Sequence, residues 1–445
     1  MTFLAIIGGG PAGYTAAELA SKAGKDVVLF EQNTLGGTCL NVGCIPTKSL
    51  LYGAKQYYNA THAQRYGVTT EGVSYDFGAM QRRKTIVVRK LVAGIRQRLQ
   101  NEHCTIVNGA ATVVSRTDAS VIIECGGQTY ESENLLICTG SSTFIPPIPG
   151  IQNNPAIWDS TAALDSKELP ASVIIIGGGV IGMEFATLYN ALGIPVTIIE
   201  ALPRILATLD ECISDYLTPV YTKRGVDIRT STKVTAVEGN TVILDSGEQL
   251  QADKILVCVG RRANIQGLEA LTDLEYNRGA IVVDDFMRTN LPNIYAAGDV
   301  TGKIMLAHVA SRQAEVAVGR MLKQIPVQRI AYNAIPSVVY TYPEVASVGI
   351  SEGALEGCEA HTLPMTYSGR FVAENEGETG LCKLVVNTKS QAIMGVHLVG
   401  NPSSEFIAAA SFAVRMGYTL PEFRQVVFPH PTVAEILRET VNEIQ

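Results

Sequence analysis

One pattern in this chain occurs twice, and it restricts the fold more than any other feature. Gly8-Gly9-Gly10-Pro11-Ala12-Gly13 follows the apolar run Thr2–Ile7, and Gly177-Gly178-Gly179-Val180-Ile181-Gly182 follows Val173–Ile176. Both read G-x-G-x-x-G, with the spaced glycines at Gly8, Gly10 and Gly13 and at Gly177, Gly179 and Gly182. Each is followed by a stretch with helical character (residues 14–23 and 183–192), a second apolar strand (residues 26–30 and 196–199) and an acid. Glu31 stands 23 residues after Gly8, and Glu200 stands 23 residues after Gly177. The glycines let the backbone approach a pyrophosphate, and the helix N-terminus offers N–H groups and positive potential. The acid accepts hydrogen bonds from ribose hydroxyls. A bare glycine motif is weak, whereas strand, glycines, helix, strand and acid in that order are specific. Two such units imply two cofactors, or one cofactor and one dinucleotide substrate.

Directly after the first unit comes Gly36-Gly37-Thr38-Cys39-Leu40-Asn41-Val42-Gly43-Cys44-Ile45-Pro46-Thr47-Lys48-Ser49. Two cysteines lie five positions apart, with a lysine four beyond the second. On a regular helix five residues turn about 500°, so the two side chains would diverge. A disulfide needs Cα atoms roughly 4.4–6.8 Å apart. The pair can close only where the backbone departs from a helix, which Gly43 permits, with Pro46 able to open a regular helix beyond it. A strained, accessible bridge is suited to exchange with a substrate thiol. The residues alone also allow a structural disulfide or two unrelated thiols. Their place after a nucleotide-binding unit favours the reactive reading.

Length and texture suggest several domains. The 445 residues suggest two to four domains at about 100–200 residues each. Residues 52–100 read as mostly helical, and residues 104–137 as strands ending in Thr139-Gly140. Pro146, Pro147, Pro149 and Gly150 mark a linker. Residues 230–259 are again strand-rich and run into Gly260-Arg261-Arg262. Asp299 closes a short strand and suits either a sugar-like hydroxyl or the cap of the next helix. His308 heads a helix running to Met321 and reads as structural. From about residue 332 the texture changes to antiparallel strands and an apolar helix, ending in Phe428-Pro429-His430-Pro431-Thr432-Val433-Ala434-Glu435. His430 with Glu435 makes a plausible general base; Thr432 and Glu435 equally suit a capping box. The expected boundaries are 1–145, 146–258, 259–330 (completing the first domain) and 331–445.

Composition excludes some functions. Net charge is −7, which argues against nucleic acid as the main partner. No apolar run reaches the roughly 20 residues a bilayer requires. The opening residues lack a basic segment and enter the glycine motif at once, so no secretory leader is expected. Nine scattered cysteines fit a reducing cytoplasm. Seven of them read as buried or inert thiols, and no metal-ligand spacing is present. Glu200 favours NAD over NADP, because a carboxylate there repels a 2′-phosphate; Arg204 nearby reads as a surface residue.

Together these motifs resemble the flavin-dependent pyridine nucleotide-disulfide oxidoreductases of the glutathione reductase class. Within that class the chain is most similar to the dihydrolipoamide dehydrogenases, over essentially its whole length. The resemblance implies an α/β fold with two Rossmann-like dinucleotide-binding domains and a C-terminal α+β dimerisation domain. It implies FAD on the first unit, held by Gly8, Gly10, Gly13, Glu31, Thr38, Lys48, Thr139, Gly140, Asp299 and Ala307. It implies NAD on the second, held by Gly177, Gly179, Gly182, Glu200 and Gly260. Cys39 would be the interchange thiol, and Cys44 the thiolate beside the flavin. Lys48 would pair with Glu184. His430, supported by Glu435, would serve the disulfide of the opposite subunit of a homodimer. The implied activity is oxidation of a small dithiol, dihydrolipoamide, by NAD, with a lipoyl-bearing acyltransferase of a 2-oxo-acid dehydrogenase complex as an expected partner. Two departures stand out. Phe428 occupies a position often held by a second histidine, and Ala263 replaces a proline after Gly260-Arg261-Arg262. Mercuric reductase chemistry is disfavoured, since no vicinal cysteine pair ends the chain. A reductase of another disulfide would share every flavin-side residue.

Overall fold

The computed structural model describes residues 1–323 and 329–444. The chain forms two compact units, each built from separated stretches of sequence.

The first unit comprises Met1–Ser49, Gly78–Phe144 and Gly260–Ile330. Its sheet places Thr105–Asn108, Val27–Glu31, Thr2–Ile7 and Gln128–Ile137 side by side in parallel, with Ile294–Ala296 added parallel to the last. Residues 4–7, 27–30 and 135–137 are buried throughout, as expected for parallel strands covered on both faces. The strand Gln128–Ile137 does double duty. Its first half pairs antiparallel with Val121–Cys125, which pairs in turn with Ala111–Arg116. Helices Pro11–Lys22 and Ala307–Met321 pack together, with Thr15 Oγ1 bonded to Ser311 Oγ at 3.2 Å. Small residues make the close approach possible: Ala12, Ala16, Ala310 and Ala314 are all buried.

The second unit comprises Leu50–Phe77, Ile145–Val259 and Ala331–Gln445. Here Val173–Ile176 lies at the centre of a parallel sheet ordered Asp227–Arg229, Val196–Ile199, Val173–Ile176, Lys254–Val257 and Ile157–Trp158. A three-stranded antiparallel sheet spans Val234–Glu238, Thr241–Leu244 and Gln249–Gln251. The C-terminal portion is an antiparallel sheet ordered Ser337–Val339, Val345–Gly349, Ile393–Val399, Leu381–Asn387 and Cys358–Leu363, packed by helix Ser403–Met416. Residues 50–77 cluster here rather than with the N-terminal stretch that precedes them. The reason is visible in their contacts. The Tyr58 ring meets Tyr342 edge-on at 5.2 Å, Tyr75 donates to the Leu192 carbonyl, and Tyr66 donates to the Glu374 carbonyl.

Among the described residues, no helix is long and apolar enough to cross a membrane.

Candidate functional site

The two glycine loops are near copies in geometry. Gly8 and Gly177 have φ of 106° and 108°, a region that favours glycine. A Cβ on Gly13 would lie 1.8 Å from the Gly8 carbonyl oxygen, and one on Gly182 would lie 2.0 Å from that of Gly177. These glycines let helix and strand meet. The middle glycines differ: a Cβ on Gly10 would come no nearer than 3.8 Å to anything, and one on Gly179 would meet nothing within 4 Å. Both are helix N-caps with no side-chain cap, at φ/ψ of −75°/−170° and −75°/−172°. Each helix therefore presents its leading N–H groups at an open edge, which suits a phosphate. Both acids close the loops in one way. Glu31 accepts from the N–H of Gly9 (2.8 Å) and Asn33 (2.7 Å); Glu200 accepts from Gly178 (2.7 Å) and Leu202 (2.8 Å). Arg204 is not the surface residue expected. It is half-buried, and its guanidinium donates to the carbonyls of Ala207 and Leu209 and to Ser214 Oγ.

The cysteine stretch is docked on the first loop. Gly36 N–H donates to the Gly9 carbonyl at 2.8 Å, and Gly37, at φ 57°, packs so tightly that a Cβ would lie 2.7 Å from Gly10 Cα. Cys39 and Thr38 sit on a one-turn helix, Gly37–Asn41, whose Asn41 amide donates to the carbonyls of Leu35 and Gly37. That helix ends at Val42, with φ −139°, and Cys44 starts a new one, Cys44–Thr61. The break between the cysteines is the one their spacing demands. The second helix begins two residues earlier than Pro46 suggested, because a proline in a first turn forgoes no helical hydrogen bond. Thr47 Oγ1 ties that turn to the Gly43 carbonyl at 2.7 Å.

Neither sulfur is in a disulfide; Cys39 is half-buried and Cys44 exposed. A hydrogen bond with Cys44, and then burial, pushes the Cys39 thiol far above its usual range; Lys48 opposes this and Asp299 reinforces it. Tyr14, on the glycine-loop helix, is close enough to both sulfurs for their charge to raise its phenol, after burial. Cys138 and Cys258 are buried and pushed up by burial, and Cys104 is pushed up to about 11, as befits inert thiols. Among the described residues, no group of three or more ligands could hold a metal ion.

Asp299 caps no long helix. It opens the short 3₁₀ turn Asp299–Thr301, and its Oδ2 accepts from Ser141 Oγ at 2.5 Å. Thr139 and Gly140 are tied to Asn264: Thr139 Oγ1 donates to the Asn264 carbonyl (2.6 Å), and Asn264 N–H donates to the Gly140 carbonyl (2.9 Å). Gly260, at φ 129°, is exposed and falls in the first unit, not with the second glycine loop. Ala307 begins its helix and His308 is exposed. Sequence reading missed Ser141, Arg261 and Asn264; their places beside Thr139-Gly140 and Gly260 were the available signal.

In the second unit, Glu184 is 5% exposed on helix Val180–Ala191 and accepts from the Tyr340 N–H at 3.1 Å. Lys48 belongs to the first unit. His430 Nδ1 lies 3.1 Å from Glu435 Oε1, with the histidine side chain 80% exposed and the glutamate side chain 7%. The N–H of Thr432 donates to Glu435 Oε2 at 2.8 Å, which, ahead of His430 and Arg438, holds the carboxyl below its usual range against the opposing effect of burial. Only half of the capping box forms. Thr432 Oγ1 donates to the Pro429 carbonyl, and the helix Glu435–Glu443 is capped by Ala434. Phe428 is buried beside Phe423, with ring centroids 5.7 Å apart, and so serves the core.

A family model described as pyridine nucleotide-disulphide oxidoreductase matches residues 3–314, and the dimerisation domain of that family matches residues 335–441. The chain belongs to this family. Its fold is accordingly the one expected: α/β, with two dinucleotide-binding folds and a C-terminal dimerisation domain. Among curated oxidoreductases of the family, dihydrolipoyl dehydrogenase from Chlamydia pneumoniae is 37% identical over 448 residues, covering 98% of this chain and 95% of its own. The dihydrolipoyl dehydrogenase of Geobacillus stearothermophilus is 36% identical over 447 residues, covering 98% and 94%. Among solved structures, LpdA from Mycobacterium tuberculosis matches with a TM-score of 0.93 at 25% identity, over 100% of both chains. The HOCl-induced flavoprotein disulfide reductase RclA from Escherichia coli matches with a TM-score of 0.86 at 30% identity, also over 100% of both.

Proposed function

We propose that this oxidoreductase is a dihydrolipoyl dehydrogenase: it oxidises dihydrolipoamide and delivers the electrons to NAD⁺ through the Cys39–Cys44 pair and FAD. The observation that carries this reading is the hydrogen-bonded thiol pair seated on the first glycine loop, with Lys48 and Asp299 in electrostatic reach. FAD fits the first unit, Met1–Ser49, Gly78–Phe144 and Gly260–Ile330, because Gly10 leaves the helix N-terminus open. Gly8, Gly13, Glu31, Thr38, Lys48, Thr139, Gly140, Asp299 and Ala307 line this site. NAD fits residues 146–258 on the same ground at Gly179, with Gly177, Gly182 and Glu200 contributing. NAD is favoured over NADP, since Glu200 repels a 2′-phosphate and the Arg204 guanidinium is already bonded to its own loop.

In this reading the chain works as a homodimer through residues 331–445. His430, oriented and charge-stabilised by Glu435, takes a proton from a dihydrolipoamide thiol in the opposite subunit's site. The resulting thiolate attacks Cys39 Sγ of the oxidised pair, and the S–S bond to Cys44 breaks. The second substrate thiolate then attacks the sulfur bonded to Cys39, closing cyclic lipoamide and leaving Cys39 and Cys44 reduced. Bound FAD supplies two-electron acceptance from the thiols and hydride delivery to the nicotinamide. Lys48 places a positive charge beside that site. The expected compartment is the cytoplasm. The expected partner is a lipoyl-bearing acyltransferase of a 2-oxo-acid dehydrogenase complex.

The likeness to RclA keeps an NADH-driven disulfide reductase as the second reading. Steady-state turnover decides between them. Dihydrolipoamide with NAD⁺ should turn over well, with NADP⁺ far more slowly, and glutathione disulfide with NADH should be inert. Robust reduction of another disulfide with negligible dihydrolipoamide oxidation would overturn the main reading.

A further inference from the structure

Three side chains in the first unit form a chain of hydrogen bonds that the proposed reaction does not use directly. Arg261 and Ser141 lie on paired antiparallel strands, Arg261–Ala263 and Ser141–Thr143. Arg261 Nε donates to Ser141 Oγ at 2.7 Å, and its Nη2 donates to the Ser141 carbonyl at 2.6 Å. Ser141 Oγ then donates to Asp299 Oδ2 at 2.5 Å. We propose that Arg261 is a positioning residue for the flavin cofactor, acting through the Ser141 hydroxyl to fix the carboxylate of Asp299. This rests on the flavoprotein reading above.

Donor chemistry sets the direction of the relay. A guanidinium has only donors, whereas a serine hydroxyl has one proton and two lone pairs. With Arg261 filling a lone pair, the Ser141 proton is committed to Asp299. The forked grip of Arg261 on both the hydroxyl and the carbonyl of one residue leaves the guanidinium little rotational freedom, a geometry lysine cannot reproduce. Ser141 is buried, so water does not substitute easily. The backbone of the same turn is anchored separately. The N–H of Gly298 donates to Gln313 Oε1 at 2.7 Å, and Gln313 is wholly buried on helix Ala307–Met321. The turn that carries Asp299 is thus fixed by two independent contacts, one through the main chain of the preceding Gly298 and one through the Asp299 side chain. Such an arrangement is what a carboxylate needs to meet polyol hydroxyls at one defined position.

The test measures FAD dissociation constants of the apoprotein by fluorescence, together with flavin midpoint potential and apoprotein unfolding temperature. Arg261→Lys and Ser141→Ala should each weaken FAD binding roughly tenfold, the size of one charge-assisted hydrogen bond. The double variant should be no weaker than either single one, because both changes cut the same relay. In an Asp299→Asn background, Arg261→Lys should have no further effect on FAD affinity or potential. Unfolding of the Arg261→Lys apoprotein should match wild type. Arg261→Lys and Ser141→Ala effects that multiply, or an Arg261→Lys effect that persists with Asp299→Asn, would overturn the proposal alone. Arg261→Lys binding FAD as wild type would do the same, and this arm stands even if Ser141→Ala fails to fold. A wild-type chain that takes up no FAD would overturn the flavoprotein reading as well.

Discussion

The second glycine loop offers a sharp separation between folding and binding. Gly179→Ala and Gly182→Ala add the same methyl group three residues apart. At Gly179 that methyl meets nothing within 4 Å, and its φ/ψ of −75°/−170° is ordinary for alanine. The folded chain should lose only the N-cap difference between glycine and alanine, about 0.5 kcal/mol. In the proposed NAD site, the methyl would point instead into the space taken by the pyrophosphate. A KM for NAD⁺ at least tenfold higher is expected, which is about 1.4 kcal/mol. At Gly182 the methyl would lie 2.0 Å from the Gly177 carbonyl oxygen, where atoms need more than 3 Å. Helix and strand must part by about 1 Å in a buried position, an overpacking cost of about 1–3 kcal/mol or more. Thermal unfolding should then fall by several degrees, at roughly 2–4 °C per kcal/mol for a domain of this size. Scanning calorimetry and NAD⁺ titration with dihydrolipoamide read the two effects separately. A Gly179→Ala protein that loses several degrees yet keeps its KM would refute the assignment of the open edge to the dinucleotide.

The remaining expectations concern the thiols, the base and one buried ion pair. Cys39→Ser and Cys44→Ser should each abolish dihydrolipoamide oxidation, while NADH oxidation with an artificial electron acceptor survives; retained lipoamide turnover in either would remove the pair from the mechanism. His430→Gln should slow the thiol half-reaction by about 10²–10⁴-fold and leave flavin reduction by NADH unchanged in stopped flow, with equal loss in both counting against its role as base. Lys383→Met addresses stability: Lys383 Nζ sits 2.9 Å from Asp210 Oδ1, both side chains are nearly sealed from water, and stranding the carboxylate should cost about 3–5 kcal/mol. Burial pushes the Asp210 pKa up, but hydrogen bonds from Cys212 and Lys383 override it and depress the folded-state value. Its stabilisation is therefore complete above the ordinary carboxylate range and fades as pH falls below about 4. Unfolding scans should show the gap between wild type and Lys383→Met narrowing in acid, and a gap that widened there would reverse the sign of the argument.

What could be read from the sequence was whatever repeats locally. The two glycine loops could be placed because three glycines, a helix and an acid recur at fixed spacing; the outer glycines answer to contacts within their own unit, while Gly10 and Gly179 face open space. The break between Cys39 and Cys44 was legible for the same reason: five residues of helix cannot bring two sulfurs together, so the backbone must depart from a helix between them; Gly43 was the residue that permits it, and the helix ends at Asn41 with Val42 as its cap. What stayed hidden depends on contacts between distant stretches. Residues 50–77 follow the cysteines in sequence yet pack with Tyr342 and Leu192, far along the chain. Nothing in their own periodicity reports those partners. Asp299 left two readings open because a lone acid after a strand suits a cap or a ligand equally. The structure removes the cap of a long helix, since Asp299 opens only a short turn, and gives it a bond to Ser141, 158 positions away, that no local pattern announces. Arg261 could be located beside Gly260 but its contacts could not: its guanidinium turns inward to Ser141 rather than outward, and no local pattern encodes the direction in which a side chain turns. His430 and Glu435 lie between these cases. Their spacing allowed a base or a cap, and the fold forms part of each, because one carboxylate has two oxygens. Oε2 accepts the Thr432 amide while Oε1 faces the imidazole, so the contact that holds the carboxylate at the head of the helix also turns its other oxygen to His430.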